Sequence, residues 1–201
     1  MEMLIKDARI VDYANDFAGD IYVKDGIITE IGKNLNKNCS VINAGGKVLM
    51  PAFVDLHSHF RDPGLEYKED IETGSRAAVR GGYTAVNLMP NTKPVCSDMK
   101  TVDYVLDKAK KVGLLDVHQA ASITKDLEGT DIYHLEKLTD AVKCISDDGK
   151  GVYDSVVMLR AMEFAAKKGL VVMAHEEDAK ISPISQRLSE NLMTARDIAL
   201  A

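Results

Sequence analysis

The sequence predicts an α/β protein, a small β module followed by parallel strands that alternate with helices. Three observations lead there. The first 50 residues hold short apolar runs punctuated by glycine, with no helical period. From Pro51 onward, strand-like runs alternate with amphipathic stretches, the pattern of a parallel sheet with crossover helices. The chain has 201 residues, 46% hydrophobic and 28% charged, an ordinary globular composition. That is enough for one large domain or one and a half small ones.

In the first module, strands are expected over 3–11, 21–23, 27–31 and 48–54. Lys24-Asp25-Gly26 reads as a hairpin turn, because Asp-Gly supplies the positive φ that such a turn needs. After Pro51, strands are expected over 52–57, 84–89, 115–122, 142–146 and 170–174. One helix ends before Gly81-Gly82. A second carries Val102, Val105, Leu106, Ala109 and Val112 on one face, with Ser97 as its cap and Gly113 just past its end. Asp154 opens a third, whose buried stripe is expected to be Val157, Met158, Ala161, Met162 and Ala165 and whose stop is Gly169. The stretch from Ser189 to Ala201 also reads as a helix. By the crossover rules this pattern is either a doubly wound sheet or a (β/α) barrel.

Composition narrows the function. The formal charge is −6, with Lys and Arg spread along the chain, so no basic stripe is present for nucleic acid. No run of 18 apolar residues and no secretory signal is seen, so a cytoplasmic protein with no membrane partner is expected. Cys39, Cys96 and Cys144 are odd in number and widely spaced, which suits reduced thiols.

The sharpest local signal is His57-Ser58-His59 at the end of an apolar strand. Residues i and i+2 of a strand share a face, so two imidazoles can converge on one cation; two polar loop histidines are the alternative. Arg61 offers a planar fork for a carboxylate, or is a solvated loop arginine. Asn91, past the next strand, is either a substrate contact or a turn residue. Asp147 and Asp148 end the fourth strand and His175 the fifth. If Asp148 faces inward, Asp147 faces away or caps a turn, since the strand period is two. His118 and His134 read as packing or surface residues. Lys108, Lys110, Lys111, Lys167 and Lys168 end helices, where cations suit the dipole. His57, His59, Arg61, Asn91, Asp148 and His175 all fall just past strand ends, where α/β barrels keep their chemistry.

HSHFRDPG (57–64), GGYTAVNLMPNTKP (81–94), SDDGKGV (146–152) and MAHEED (173–178) make the chain resemble the amidohydrolase superfamily and, within it, the bacterial type I dihydroorotases. The resemblance includes the opening GGKVLMPAFVDLH (45–57). It implies a (β/α)8 TIM barrel, here about its first five βα units over 51–201, preceded by part of a small β-sandwich over 1–50. It implies zinc, one or two ions per complete site. His57 and His59 would be ligands to the first metal, Asp148 the bridging carboxylate and His175 a ligand to the second. Arg61 and Asn91, with His59 nearby, would grip the substrate carboxylate. The implied reaction is reversible cyclisation of N-carbamoyl-L-aspartate to L-dihydroorotate in pyrimidine synthesis. The aspartate in SDDG favours this over hydantoinases and allantoinases, many of which carry a carboxylated lysine on that strand.

A homo-oligomer and association with aspartate transcarbamoylase are the protein partners considered, the latter also as the role of a non-catalytic scaffold subunit. A complete barrel takes about 250 residues, more than the chain holds. The resemblance puts the family's proton-shuttling aspartate beyond Ala201, so no catalytic acid is assigned within the chain. The 201 residues alone are expected to be inactive and to associate.

Overall fold

The Asp25-Gly26 turn, with φ of 51° and 81°, joins two strands of the first unit, Met1–Ala52, in a computed structural model that describes residues 1–175. This unit is a mixed sheet of β1 (Glu2–Val11), β2 (Asp16–Lys24), β3 (Ile27–Gly32), β4 (Ser40–Asn43) and β5 (Val48–Leu49). Its order is β3-β2-β1-β4, with β5 also on β1. The two hairpin pairs are antiparallel, whereas β4 and β5 run parallel to β1. Register slips between Ile5 and Ala8, where Asp7 adopts a φ of 53°. The Asp7 N–H freed by this bulge donates to buried Asp20 at 2.9 Å, and Leu35 N–H donates to the other Asp20 oxygen at 2.8 Å. Ala8, Ile10 and Ile21 form the core on one face.

Two expectations for this unit need correction. The strand expected over 48–54 is two strands in different sheets, broken at Met50-Pro51-Ala52, since Pro51 has no N–H for a ladder. The short strand β4 was not expected at all.

The second unit begins at Phe53. Its elements are β6 (Phe53–Ser58), α1 (Ile71–Arg80), β7 (Tyr83–Leu88), α2 (Met99–Val112), β8 (Asp116–Gln119), β9 (Cys144–Ile145), α3 (Ser155–Lys168) and β10 (Val171–Val172). Short 3-10 turns at Lys125–Leu127 and Tyr133–Lys137 link β8 to β9. All strand pairs are parallel, in the order β6-β7-β8 and β9-β10, and a parallel bridge between Ala121 and Ile145 joins the two sets. Spatial order therefore follows chain order without a reversal. That choice separates a barrel from a doubly wound sheet, whose strand order reverses at a switch point. Val86 and Leu88 of β7 pack with Val102 and Val105 of α2 and Ala161 and Ala165 of α3 in the main core. The helix expected from Ser189 to Ala201 lies outside the described residues, and so does the expectation that the proton-shuttling aspartate falls beyond Ala201.

Gly113 and Gly169 end α2 and α3 in the left-handed conformation, as expected. The cap of α2 is Asp98, not Ser97. Asp98 accepts from Thr101 N–H at 2.8 Å, while the Ser97 hydroxyl bonds Ser122 at 2.9 Å and accepts from Asp126 N–H at 2.8 Å. On α3, Met162 is exposed and Phe164 is packed against the core instead. One residue turns a helix by about 100°, so Met162 rotates away from the Ala161 stripe while Phe164 returns to it.

The Thr101 N–H holds the Asp98 carboxylate below its ordinary value. That stabilisation is full above the unfolded value of about 3.9 and is lost as pH falls through the lowered folded value. Asp98→Ala should cost about 0.5–2 kcal/mol at neutral pH and less below the lowered value, where the charge-dependent part of the cap is gone, as read by denaturant unfolding across pH.

Apolar side chains stay open on each unit. Ile27, Ile28 and Ile31 of β3, and Val54, Leu56 and Val171 of β6 and β10, are each more than half exposed. Residues 1–201 expressed alone should therefore associate at micromolar concentrations. Light scattering that reads a stable 22.0 kDa monomer would contradict this.

Candidate metal centre

Four parallel strands deliver side chains to one end of the sheet. His57 is the penultimate residue of β6, and His59 lies just past it. Asn91, Asp148 and His175 each follow the ends of β7, β9 and β10 by three residues. The H-x-H pair is thus not wholly within the strand, and register is irregular between Asp55 and Ser58. The rings nevertheless stand edge to face with centroids 5.1 Å apart. Asp55 shapes this end, accepting from His57 N–H and from the Ser58 hydroxyl, both at 3.0 Å.

Asp148 is the hub, with a side chain only 4% exposed. His57 Nε2 lies 3.0 Å from Asp148 Oδ1, His59 Nε2 3.6 Å from Oδ2, and His175 Nε2 3.8 Å from Oδ1. Asn91 bridges the cluster. Its amide nitrogen donates to Asp148 Oδ2 at 2.6 Å, and its carbonyl oxygen faces His59 Nδ1 at 3.0 Å and Arg61 Nη1 at 3.4 Å. Donation from His59 Nδ1 to that carbonyl leaves Nε2 as the bare nitrogen, the tautomer a metal ligand needs. Burial pushes the His59 imidazole below its ordinary value, and nearby Arg61 adds to the shift.

This donor set fits a divalent cation. One ligand atom each from His57, His59 and Asp148 lie within 4.8 Å of one another. Two atoms about 2.1 Å from one ion at a tetrahedral angle stand about 3.4 Å apart, and the 3.0 and 3.6 Å histidine–carboxylate separations bracket that value. Two imidazoles and a carboxylate suit a borderline metal.

The chain's dihydro-orotase-like match covers residues 46–188. A dihydroorotase from Clostridium botulinum (strain Eklund 17B) is 52% identical over the whole chain. The chain belongs to the dihydroorotase-like family.

The dihydroorotase of Geobacter sulfurreducens is 40% identical and that of Mycobacterium tuberculosis 39%, each again over all of this chain. The chain spans about half the length of these curated relatives, 51% of the Clostridium protein. Among solved structures, the L-hydantoinase (dihydropyrimidinase) of Arthrobacter aurescens matches with a TM-score of 0.75 at 24% identity. That match covers 94% of this chain and 44% of the hydantoinase. It supports the barrel fold and nothing finer.

Asp147 and Lys108 make contacts that the sequence did not show. Asp147, beside the hub, is buried among backbone donors. It accepts from Ile123 N–H at 2.7 Å, from Thr124 N–H at 3.0 Å and from the Thr124 hydroxyl. Burial pushes its carboxyl up, against the pull of those donors. The alternation of facing that was expected for this pair leaves Asp148 on the site. Lys108 does more than complement a helix end, for its ammonium lies 2.6 Å from buried Asp62. The signal was visible as Tyr104 and Lys108 one helical turn apart, but their partner lies 46 residues away in the sequence of Lys108. His118 is exposed on β8, and His134 Nε2 lies 2.9 Å from the Ser122 carbonyl, away from the cluster.

Asp148→Asn should strip metal, whereas Asp147→Asn should keep it and lower stability by about 1–3 kcal/mol through mispaired donors around Thr124. Metal analysis and thermal unfolding of the two variants check this. Metal loss in D147N alone would reverse the assignment.

Proposed function

We propose that the chain carries the metal-binding and carboxylate-recognising part of a dihydroorotase, a cytoplasmic enzyme that interconverts N-carbamoyl-L-aspartate and L-dihydroorotate. The observation that carries this reading is the Asp148 hub, ringed by three histidines and joined through Asn91 to Arg61. Identity of 52% to a dihydroorotase supports it. Three thiols without a disulfide suit a reducing compartment, and no helix among the described residues is long and apolar enough to cross a membrane.

His57, His59 and Asp148 would hold zinc, and His175, 3.8 Å from Asp148 Oδ1, would extend the set. When bound, the cation supplies Lewis acidity, polarising the amide carbonyl and acidifying water. The chain's own residues bind and orient. Arg61 presents a bidentate fork to the ring carboxylate and sets which carbon faces the cluster. Asn91 fixes His59 by its Nδ1 and aligns Asp148, so the ligands are preorganised before substrate enters. The cluster side chains are committed to these contacts, and proton delivery to the departing nitrogen is assigned to none of them.

The test is ring opening by the full-length protein supplied with zinc, comparing L-dihydroorotate with dihydrouracil, hydantoin and allantoin. Dihydroorotate should be preferred by on the order of 100-fold in kcat/KM, since rings without a carboxylate leave Arg61 unpaired. Faster opening of hydantoin or allantoin would transfer the protein to those activities.

A further inference from the structure

Arg61 reaches the Asp148 cluster from an unusual backbone state. Its φ is +58°, a region that L side chains rarely adopt. Something must hold it there, and the next residue supplies the grip. The Asp62 side chain is fully buried. Its Oδ2 lies 2.6 Å from Lys108 Nζ and accepts from Ile71 N–H, the first residue of α1, at 3.4 Å. Its Oδ1 accepts from the Tyr104 hydroxyl at 3.1 Å. Tyr104 and Lys108 stand one turn apart on α2, so Asp62 is pinned to two helices at once. Hydrogen bonding to Asp62 holds the Lys108 ammonium above its ordinary value, so the cation persists through neutral pH.

A second fixed point follows two residues later. Gly64 has a φ of +89°, and a Cβ there would meet the Lys93 carbonyl oxygen at 1.8 Å. Pro63 O accepts from Lys93 N–H at 2.9 Å. The loop is thereby pressed against the segment that carries Asn91, the residue Arg61 Nη1 faces at 3.4 Å.

We propose that the Asp62–Lys108–Tyr104 cluster is a positioning device for Arg61, setting the height at which its guanidinium meets the substrate carboxylate. This rests on the carboxylated substrate proposed above. Removing the ammonium leaves an uncompensated carboxylate in an enclosed site, and the loop must move outward to hydrate it. Arg61, one residue away, moves with it, while the His57–His59–Asp148 donors stay on their own strand ends.

The experiment compares Lys108→Met and Lys108→Arg in the full-length protein by kinetics, metal content and amide hydrogen exchange. In K108M, KM for L-dihydroorotate should rise on the order of 10- to 100-fold. Its kcat and metal content should stay near wild type, and exchange should quicken at Leu65 and Lys93, whose N–H groups bond Arg61 O and Pro63 O. K108R should restore both. A purely structural pair would lower the unfolding temperature and leave KM and local exchange unmoved, which would overturn the proposal. If the wild-type protein opens no dihydroorotate, the functional reading fails, and exchange decides the positioning role alone: quickening confined to this loop supports it, none overturns it. Should K108M not fold, Tyr104→Phe removes the hydroxyl that bonds Asp62 at 3.1 Å and keeps the ammonium, with the same signs and a smaller KM rise expected, and an unchanged KM and exchange rate again overturning it.

Discussion

Full-length protein carrying His57→Ala and His59→Ala together should retain essentially no zinc after dialysis. Two of the three donors that lie within 4.8 Å of one another disappear, and the remaining Asp148 carboxylate with His175, 3.8 Å away, holds a borderline cation weakly. Structural zinc bound by four protein ligands contributes roughly 10–16 kcal/mol, or about 3 kcal/mol per ligand. Losing two should weaken binding by on the order of 10,000-fold or more. The fold should survive, because both histidines lie at the rim and His57 is 43% exposed. Metal analysis beside circular dichroism separates loss of zinc from loss of structure, and stoichiometric zinc in a folded double variant would sink the assignment.

How much of this was legible in the sequence depended on the range of the interactions. The H-x-H pair, the left-handed glycines that end α2 and α3, and the Asp25-Gly26 hairpin are local, set by periods of two or 3.6 residues and by backbone sterics. The strand-end placement of Asn91, Asp148 and His175 was readable because parallel strands repeat one pattern. The choice between a barrel and a doubly wound sheet came from the family resemblance and not from periodicity, which carries no strand order. Competition between neighbours defeated other readings. Ser97 and Asp98 are both good caps, and Ser97 is diverted by Ser122, 25 residues away. β4 has only four residues and exists through its parallel pairing with β1. Lys108 looked like a helix-end cation because Asp62, which determines its role, is distant in sequence.

Arg61→Met should lower kcat/KM for L-dihydroorotate in the full-length protein by about 30- to 5,000-fold, the equivalent of about 2–5 kcal/mol for a lost charge-assisted pair. Methionine is the informative replacement. It is unbranched like arginine and no more at ease at a φ of +58°, so the backbone state is left alone, whereas glycine would relax it. The guanidinium donates to Asn91 Oδ1 across 3.4 Å, a long contact whose loss leaves Asn91 still bonded to His59 and Asp148. Zinc content should therefore stay at the wild-type level. Opening of dihydrouracil, which has no carboxylate to lose, should change little. That contrast is what assigns the arginine to the substrate carboxylate: equal losses on both rings would make Arg61 a general support of the cluster, and unchanged KM and kcat on dihydroorotate would remove it from the site.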